Sequence, residues 1–210
     1  MVKDKVCKDL RKSILFGKLN PGERLTESNL SKKYGVSHGV IREALMLLSS
    51  EGFVTISPNK GASVTKVSTR ELEDYYGLIA VLERKAVEWA TPNITAPDIE
   101  KLIGINDSLK AIMVSESQKR LQNWGELNLS FHRFIWDRCG NDKLGWLVET
   151  IRQRLFRYRY TLFMITSADE YIKDHEQIID CIKKKDPEKA GQAMEDHAHR
   201  TLSVLMRFFS

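Results

Sequence analysis

Four of the chain's five histidines, His132, His175, His197 and His199, lie beyond residue 69. An imidazole titrates near neutral pH and offers a nitrogen lone pair, so such residues serve proton transfer or metal ligation. Asn128 stands four residues before His132, which on a helix puts both side chains on one face, within reach of one cation. His175 and His197 lie on later segments, 22 residues apart. His199, just past His197, is turned roughly 200° around a helix and points elsewhere. Spacing by itself fits isolated histidines hydrogen-bonded in or near a core better than it fits a metal cluster. Cys7, Cys139 and Cys181 are odd in number and without CxxC spacing, so they read as reduced packing residues rather than a disulfide framework or a structural zinc site.

A second chemistry sits in YGVSHGVIREAL, residues 34 to 45. On a helix capped by Ser37, Arg42 projects from the second turn, where its planar fork of five N–H donors can make two parallel hydrogen bonds to one partner. His38 offers one hydrogen bond, and Gly39 leaves the helix backbone open to close approach by a partner.

These side chains need elements to hold them. With 210 residues, 42% hydrophobic and 29% charged, the chain is a soluble globular protein of one large or two modest domains. No uncharged apolar run is long enough to span a bilayer and the N-terminus has no signal-peptide core, so a cytoplasmic protein is expected. Residues 1 to 68 hold twelve Lys/Arg against six Asp/Glu, a surplus of +6, leaving the remainder at −1 of the chain's +5. A small basic module that meets a polyanion, joined to a near-neutral one with another task, fits that split.

Periodicity places the elements. Val6, Leu10, Ile14 and Leu15 recur at helical spacing up to Gly17, and Pro21-Gly22 turns the chain. Thr26 caps a helix over ESNLSKKY that stops at Gly35, and Ser37 caps the next, which stops at Gly52: a helix-turn-helix. FVTIS and ASVTKV around PNKG then read as a two-stranded hairpin. The order is that of a winged helix over residues 1 to 68. From 69 to 210 only helical patterns follow, roughly 70 to 91, 97 to 115, 117 to 138, 142 to 165, 168 to 184 and 187 to 209. The fold class expected is mainly α: a winged helix-turn-helix, then a bundle of six to seven helices.

Residues 10 to 64 resemble the winged-helix domain of the GntR family of bacterial transcription regulators. The matching features are Gly17, Pro21-Gly22-Glu23-Arg24-Leu25, Gly35-Val36-Ser37, Arg42-Glu43-Ala44-Leu45, Glu51-Gly52 and the wing tip Asn59-Lys60-Gly61. The resemblance implies that the helix from Ser37 enters the major groove, with Arg42 its DNA contact, while the wing approaches the minor groove. Lys32, Lys33 and Lys60 are the expected phosphate contacts. The family commonly carries arginines where Ser28 and His38 stand, so a different operator is expected.

LNLSFHRFIWDRCGN and DHEQIIDCIKKKDPEKAGQAMEDHAH are similar to parts of the FCD domain, the helical ligand-binding domain of the FadR subgroup. That likeness implies a divalent metal, zinc or nickel, held by Asn128, His132, His175 and His197, with Asn128 standing where the family has Asp. A neutral donor set leaves the ion about +2 instead of about +1, weakening its binding and strengthening its pull on an anion. The alternative is that the histidines hydrogen-bond an organic ligand directly. The family's effector-contacting Arg, four residues before Glu83, is here Ile79. Tyr76 and Ile79 are therefore expected to wall the effector pocket, with Arg133 or one of Arg152, Arg154, Arg157 and Arg159 replacing the cation. The expected function is a homodimeric, ligand-responsive regulator, a repressor, binding a palindromic operator and sensing a small carboxylate. The rival readings are a metal-dependent enzyme and a regulator whose helical domain only dimerises.

Overall fold

The computed structural model describes residues 2–15, 18–66, 68–115, 120–155, 158–166 and 168–209. Gly17 and Arg157, and the side chain of Arg159, lie outside the described residues. Two compact units divide the chain, one comprising the described residues up to Ser68 together with Tyr158, the other Thr69–Leu155 with residues 159–209.

The first unit begins with helix α1 (Val2–Leu15), which buries Val6, Cys7 and Leu10 against helix α3 (His38–Ser50). Arg11 of α1 locks this pairing with a two-pronged bond to Glu51, both contacts at 2.8 Å. Between them lies α2 (Glu27–Tyr34). Thr26 caps α2 by accepting the Asn29 N–H, and Gly35 ends it at φ 64°, a left-handed conformation that glycine adopts without cost. Ser37 then caps α3 through the Val40 N–H.

Strands β1 (Arg24–Leu25), β2 (Val54–Ser57) and β3 (Gly61–Val64) form an antiparallel sheet in the order β1-β3-β2. The hairpin is the expected wing, but β1 adds a third strand that the sequence pattern does not reveal. Two residues are too few to show alternation, although Arg24 faces out and Leu25 in.

Among its described residues the second unit holds seven helices: α4 (Thr69–Ala90), α5 (Ala96–Val114), α6 (Arg120–Trp136), α7 (Asp142–Leu155), α8 (Arg159–Ile165), α9 (Ala168–Lys183) and α10 (Pro187–Phe209). The single helix expected over 142 to 165 is thus two, α7 and α8. No glycine, proline or capping residue marks the break, so periodicity runs through it. Thr95 and Asp98 form a reciprocal capping box at α5, and Asp186 caps α10 with Pro187 in its first turn.

The core is built on α4 packed along α10. Gly191 permits their approach, because a Cβ there would stand 2.7 Å from Glu88 Oε1 and 2.8 Å from its Cγ. Lys185 closes the C-terminal end of α4. Held at φ 54°, it donates its ammonium to the carbonyls of Thr91, Pro92 and Ile94 in the turn that follows the helix, a cation placed at the negative end of the helix dipole.

Candidate functional site

Helix α3 divides into two faces. Ile41, Ala44, Leu45 and Leu48 are buried, while Ser37, His38, Gly39, Arg42 and Glu43 are exposed. The core therefore fixes which side faces outward. A Cβ on Gly39 would meet nothing nearer than Ser37 Oγ at 3.9 Å, so the fold itself does not demand glycine there. Ser28, Lys32 and Lys33 of α2 are exposed, as are Asn59 (φ 62°), Lys60 and Gly61 at the wing tip. A groove of about 490 Å³ runs between the helices and the sheet, lined among others by Arg24, Glu27, Arg42, Met46, Ile56 and Gly61. Within it Arg42 donates from Nε to Glu27 Oε1 at 2.9 Å and from Nη2 to Oε2 at 2.8 Å. Arg24, exposed beside Ser63 of β3, adds a second guanidinium to this groove that the sequence left inside a turn motif.

In the second unit three helices bring His132 (α6), His175 (α9) and His197 (α10) together. Their ring centroids lie 5.4, 5.4 and 5.0 Å apart, and one nitrogen from each falls within 4.8 Å of the others. All three are buried. Phe131 stacks flat on His175 at 3.9 Å, fixing that ring's plane.

The outward nitrogens of two rings are held by acceptors. His175 Nδ1 donates to Asn106 Oδ1 of α5 at 3.2 Å, and His197 Nδ1 to Asp174 Oδ2 at 3.1 Å. Arg200 also grips Asp174. Burial works against the Asp174 charge, but hydrogen bonds from His197 and Arg200 keep its carboxyl below the usual range. This arrangement sets the tautomer, leaving the other nitrogen, Nε2, as a lone pair.

His175 Nε2 and both nitrogens of His132 are buried without a hydrogen-bond partner. Burial, followed by the positive charge of Arg152 and then the proximity of His175 and His197, pushes the His132 pKa well below its ordinary value; His175 is lowered by burial, His197 and Arg152 in that order. Both rings are therefore neutral at pH 7. Neutral imidazoles with convergent, unpartnered nitrogens are costly in a core and suited to a cation. Three nitrogens about 2.1 Å from one ion stand within about 4.2 Å of each other, so small ring shifts suffice.

Asn128, one turn before His132, accepts the Tyr171 hydroxyl on Oδ1 at 2.8 Å, so part of its ligating capacity is already engaged. Trp124, a further turn back on the same face, has an indole N–H that is buried and unpartnered.

Tyr76 and Ile79 are buried on α4, and one turn past Ile79 the carboxylate of Glu83 is only 2% exposed. Its counter-charge is Arg152 of α7, which donates from Nε and, at 2.6 Å, from Nη2. His132 Nδ1 lies 3.5 Å from the same carboxylate. Arg133 reaches away instead, to Glu149 on α7, and both of those side chains are about 40% exposed. It neighbours His132 in sequence, but a helix turns adjacent residues about 100° apart. Arg154 is exposed. Sequence reasoning thus offered Arg152 as one of five candidate arginines without singling it out, and it missed Asn106, Asp174, Tyr171 and Trp124; for these only the i, i+4, i+8 spacing of Trp124, Asn128 and His132 carried a visible signal.

A winged helix followed by an all-helical unit enclosing a histidine site is the build of a DNA-binding transcription regulator. Residues 2–64 match the family described as bacterial regulatory proteins, gntR family, and residues 74–200 match the FCD domain. The chain belongs to the GntR family, in the group that carries an FCD domain. It is 30% identical over 195 residues to the uncharacterized HTH-type transcriptional regulator YdhC of Bacillus subtilis (strain 168), spanning 90% of this chain and 84% of that one. It is 25% identical over 198 residues to the HTH-type transcriptional repressor RspR of Escherichia coli (strain K12), spanning 93% and 85%. The solved structure of E. coli McbR/YncC shares the fold, with a TM-score of 0.65 at 23% identity, over 100% of this chain and 99% of that one. These relatives and domains are those of regulators, not enzymes. No described helix is long and apolar enough to cross a membrane.

Proposed function

We propose that the protein is a cytoplasmic, homodimeric regulator that reads a palindromic operator and whose DNA affinity answers to occupancy of the histidine site. Arg42 reads a base in each half-site. His38 and Gly39 face the floor of the DNA major groove, Ser28 and Ser37 its edge, and Lys32, Lys33 and the wing tip Asn59-Lys60-Gly61 hold the DNA backbone. Repression is the direction favoured by the relative named a transcriptional repressor, RspR.

The observation that carries the sensing half is the set of three buried, convergent imidazoles, in which His132 and His175 carry unpartnered nitrogens. His132, His175 and His197 would hold a divalent ion, zinc or nickel, with Asn128 adjoining. Such an ion, keeping its full charge on neutral donors, supplies an anchor for a small carboxylate effector. Tyr76 and Ile79 wall the site, and the Glu83–Arg152 pair supplies its fixed charges in place of Arg133.

Metal analysis of the untagged full chain after zinc or nickel supplementation is expected to give about one ion per chain. His132→Ala, His175→Ala protein prepared in parallel is expected to be nearly empty. Finding both preparations empty would overturn the metal half of the proposal.

A further inference from the structure

We propose that Glu27 is a specificity-determining positioning residue, which holds Arg42 by one edge so that the other is presented to a guanine. The inference rests on the reading of Arg42 as a base contact. A guanidinium carries five N–H donors in one plane, arranged as a side edge (Nε and one Nη) and an end edge (both Nη). Glu27 takes the side edge, through Nε at 2.9 Å and Nη2 at 2.8 Å. Three N–H groups remain, and the Nη1 and Nη2 hydrogens of the end edge match the O6 and N7 acceptors of guanine. The Arg42 side chain is 66% exposed, so that edge is accessible from solvent.

The grip is anchored on the α2 side. Glu27 is the first residue of α2, directly after the capping Thr26, and a carboxylate there is favoured by the helix dipole and the unfilled N–H groups of the first turn. The pair also bridges the two helices of the helix-turn-helix, 15 residues apart in sequence. Free of Glu27, Arg42 has two uses on DNA, clamping a phosphate or reading a base. A phosphate approaching the side edge meets the carboxylate's charge, whereas a guanine at the end edge adds no negative charge. Glu27 therefore disfavours the sequence-blind contact and orders the arginine for the sequence-reading one.

The test uses the full chain and a duplex selected by the wild-type protein from a random-sequence library, with each G·C pair replaced in turn, beside one unrelated duplex. Glu27→Gln, nearly isosteric and checked for an unchanged melting curve, is expected to lower discrimination at the Arg42-dependent guanine about tenfold. Its binding to the unrelated duplex should be equal or tighter, and Glu27→Ala should behave alike. Adding Glu27→Gln to Arg42→Ala should cost no further discrimination. Wild-type discrimination by Glu27→Gln at a guanine where Arg42→Ala loses it overturns the proposal for Glu27. If Arg42→Ala loses discrimination at no base pair, base reading by Arg42 fails instead, and this proposal with it.

Discussion

Arg42→Ala is expected to abolish detectable footprinting on a selected operator while leaving the chain folded. One bidentate arginine–guanine contact carries about 1–3 kcal/mol of discrimination, and a dimer on a palindrome makes it twice. Specific affinity should therefore fall roughly 100-fold or more, towards the level of an unrelated duplex. Removing the guanidinium also leaves Glu27 as an uncompensated negative charge in the groove that Arg42 lines, which is expected to add to the loss. Stability should change little, because Arg42 is exposed and the buried face of α3 is carried by Ile41, Ala44, Leu45 and Leu48. A near-wild-type footprint from the variant would count against the recognition helix as assigned.

The largest stability effect is expected at Glu83. Its carboxylate is the partner of the Arg152 guanidinium, and the Glu83 and Arg152 side chains are 2% and 18% exposed. Truncating one member of a buried pair leaves the other charged and unsolvated, which typically costs about 3–5 kcal/mol. For a chain of this size, Glu83→Ala should lower Tm by roughly 6–20 °C. Replacing both groups with apolar side chains of similar size, Glu83→Leu with Arg152→Met, should recover most of that loss, because no buried charge then remains. The cycle separates the two roles of the pair: the double variant should be stable yet lack the fixed charges beside His132. A loss under about 1 kcal/mol in Glu83→Ala would show that the pair is solvated and not buried.

The features legible in the sequence are those written in local chemistry. Thr26, Gly35 and Ser37 announce the helix-turn-helix because a cap or a left-handed turn demands particular residue types at fixed offsets. Asp186-Pro187 announces α10 in the same way. Strand β1 is silent because its evidence is its pairing with β3, about 40 residues away. The gathering of His132, His175 and His197 was visible only through the likeness to the FCD domain, since three helices must pack before those rings meet. Arg152 is the sharpest case. Among the arginines of RQRLFRYRY, residues 152 to 160, nothing local distinguishes the one that faces Glu83 across a helix interface. Asn106 and Asp174 are hidden for the same reason, as acceptors whose histidines lie 69 and 23 residues away.

Control of DNA binding from the histidine site is the central claim, and one titration tests it directly. Fluorescence anisotropy of a labelled, selected duplex would be followed with the full chain, once with added zinc or nickel and once with chelator. Wild-type affinity is expected to differ at least about fivefold between the two conditions, the low end of ordinary coupling between sites. His132→Ala, His175→Ala protein should bind the same duplex with no response to metal. Superimposable wild-type curves, with and without metal, would contradict the claim.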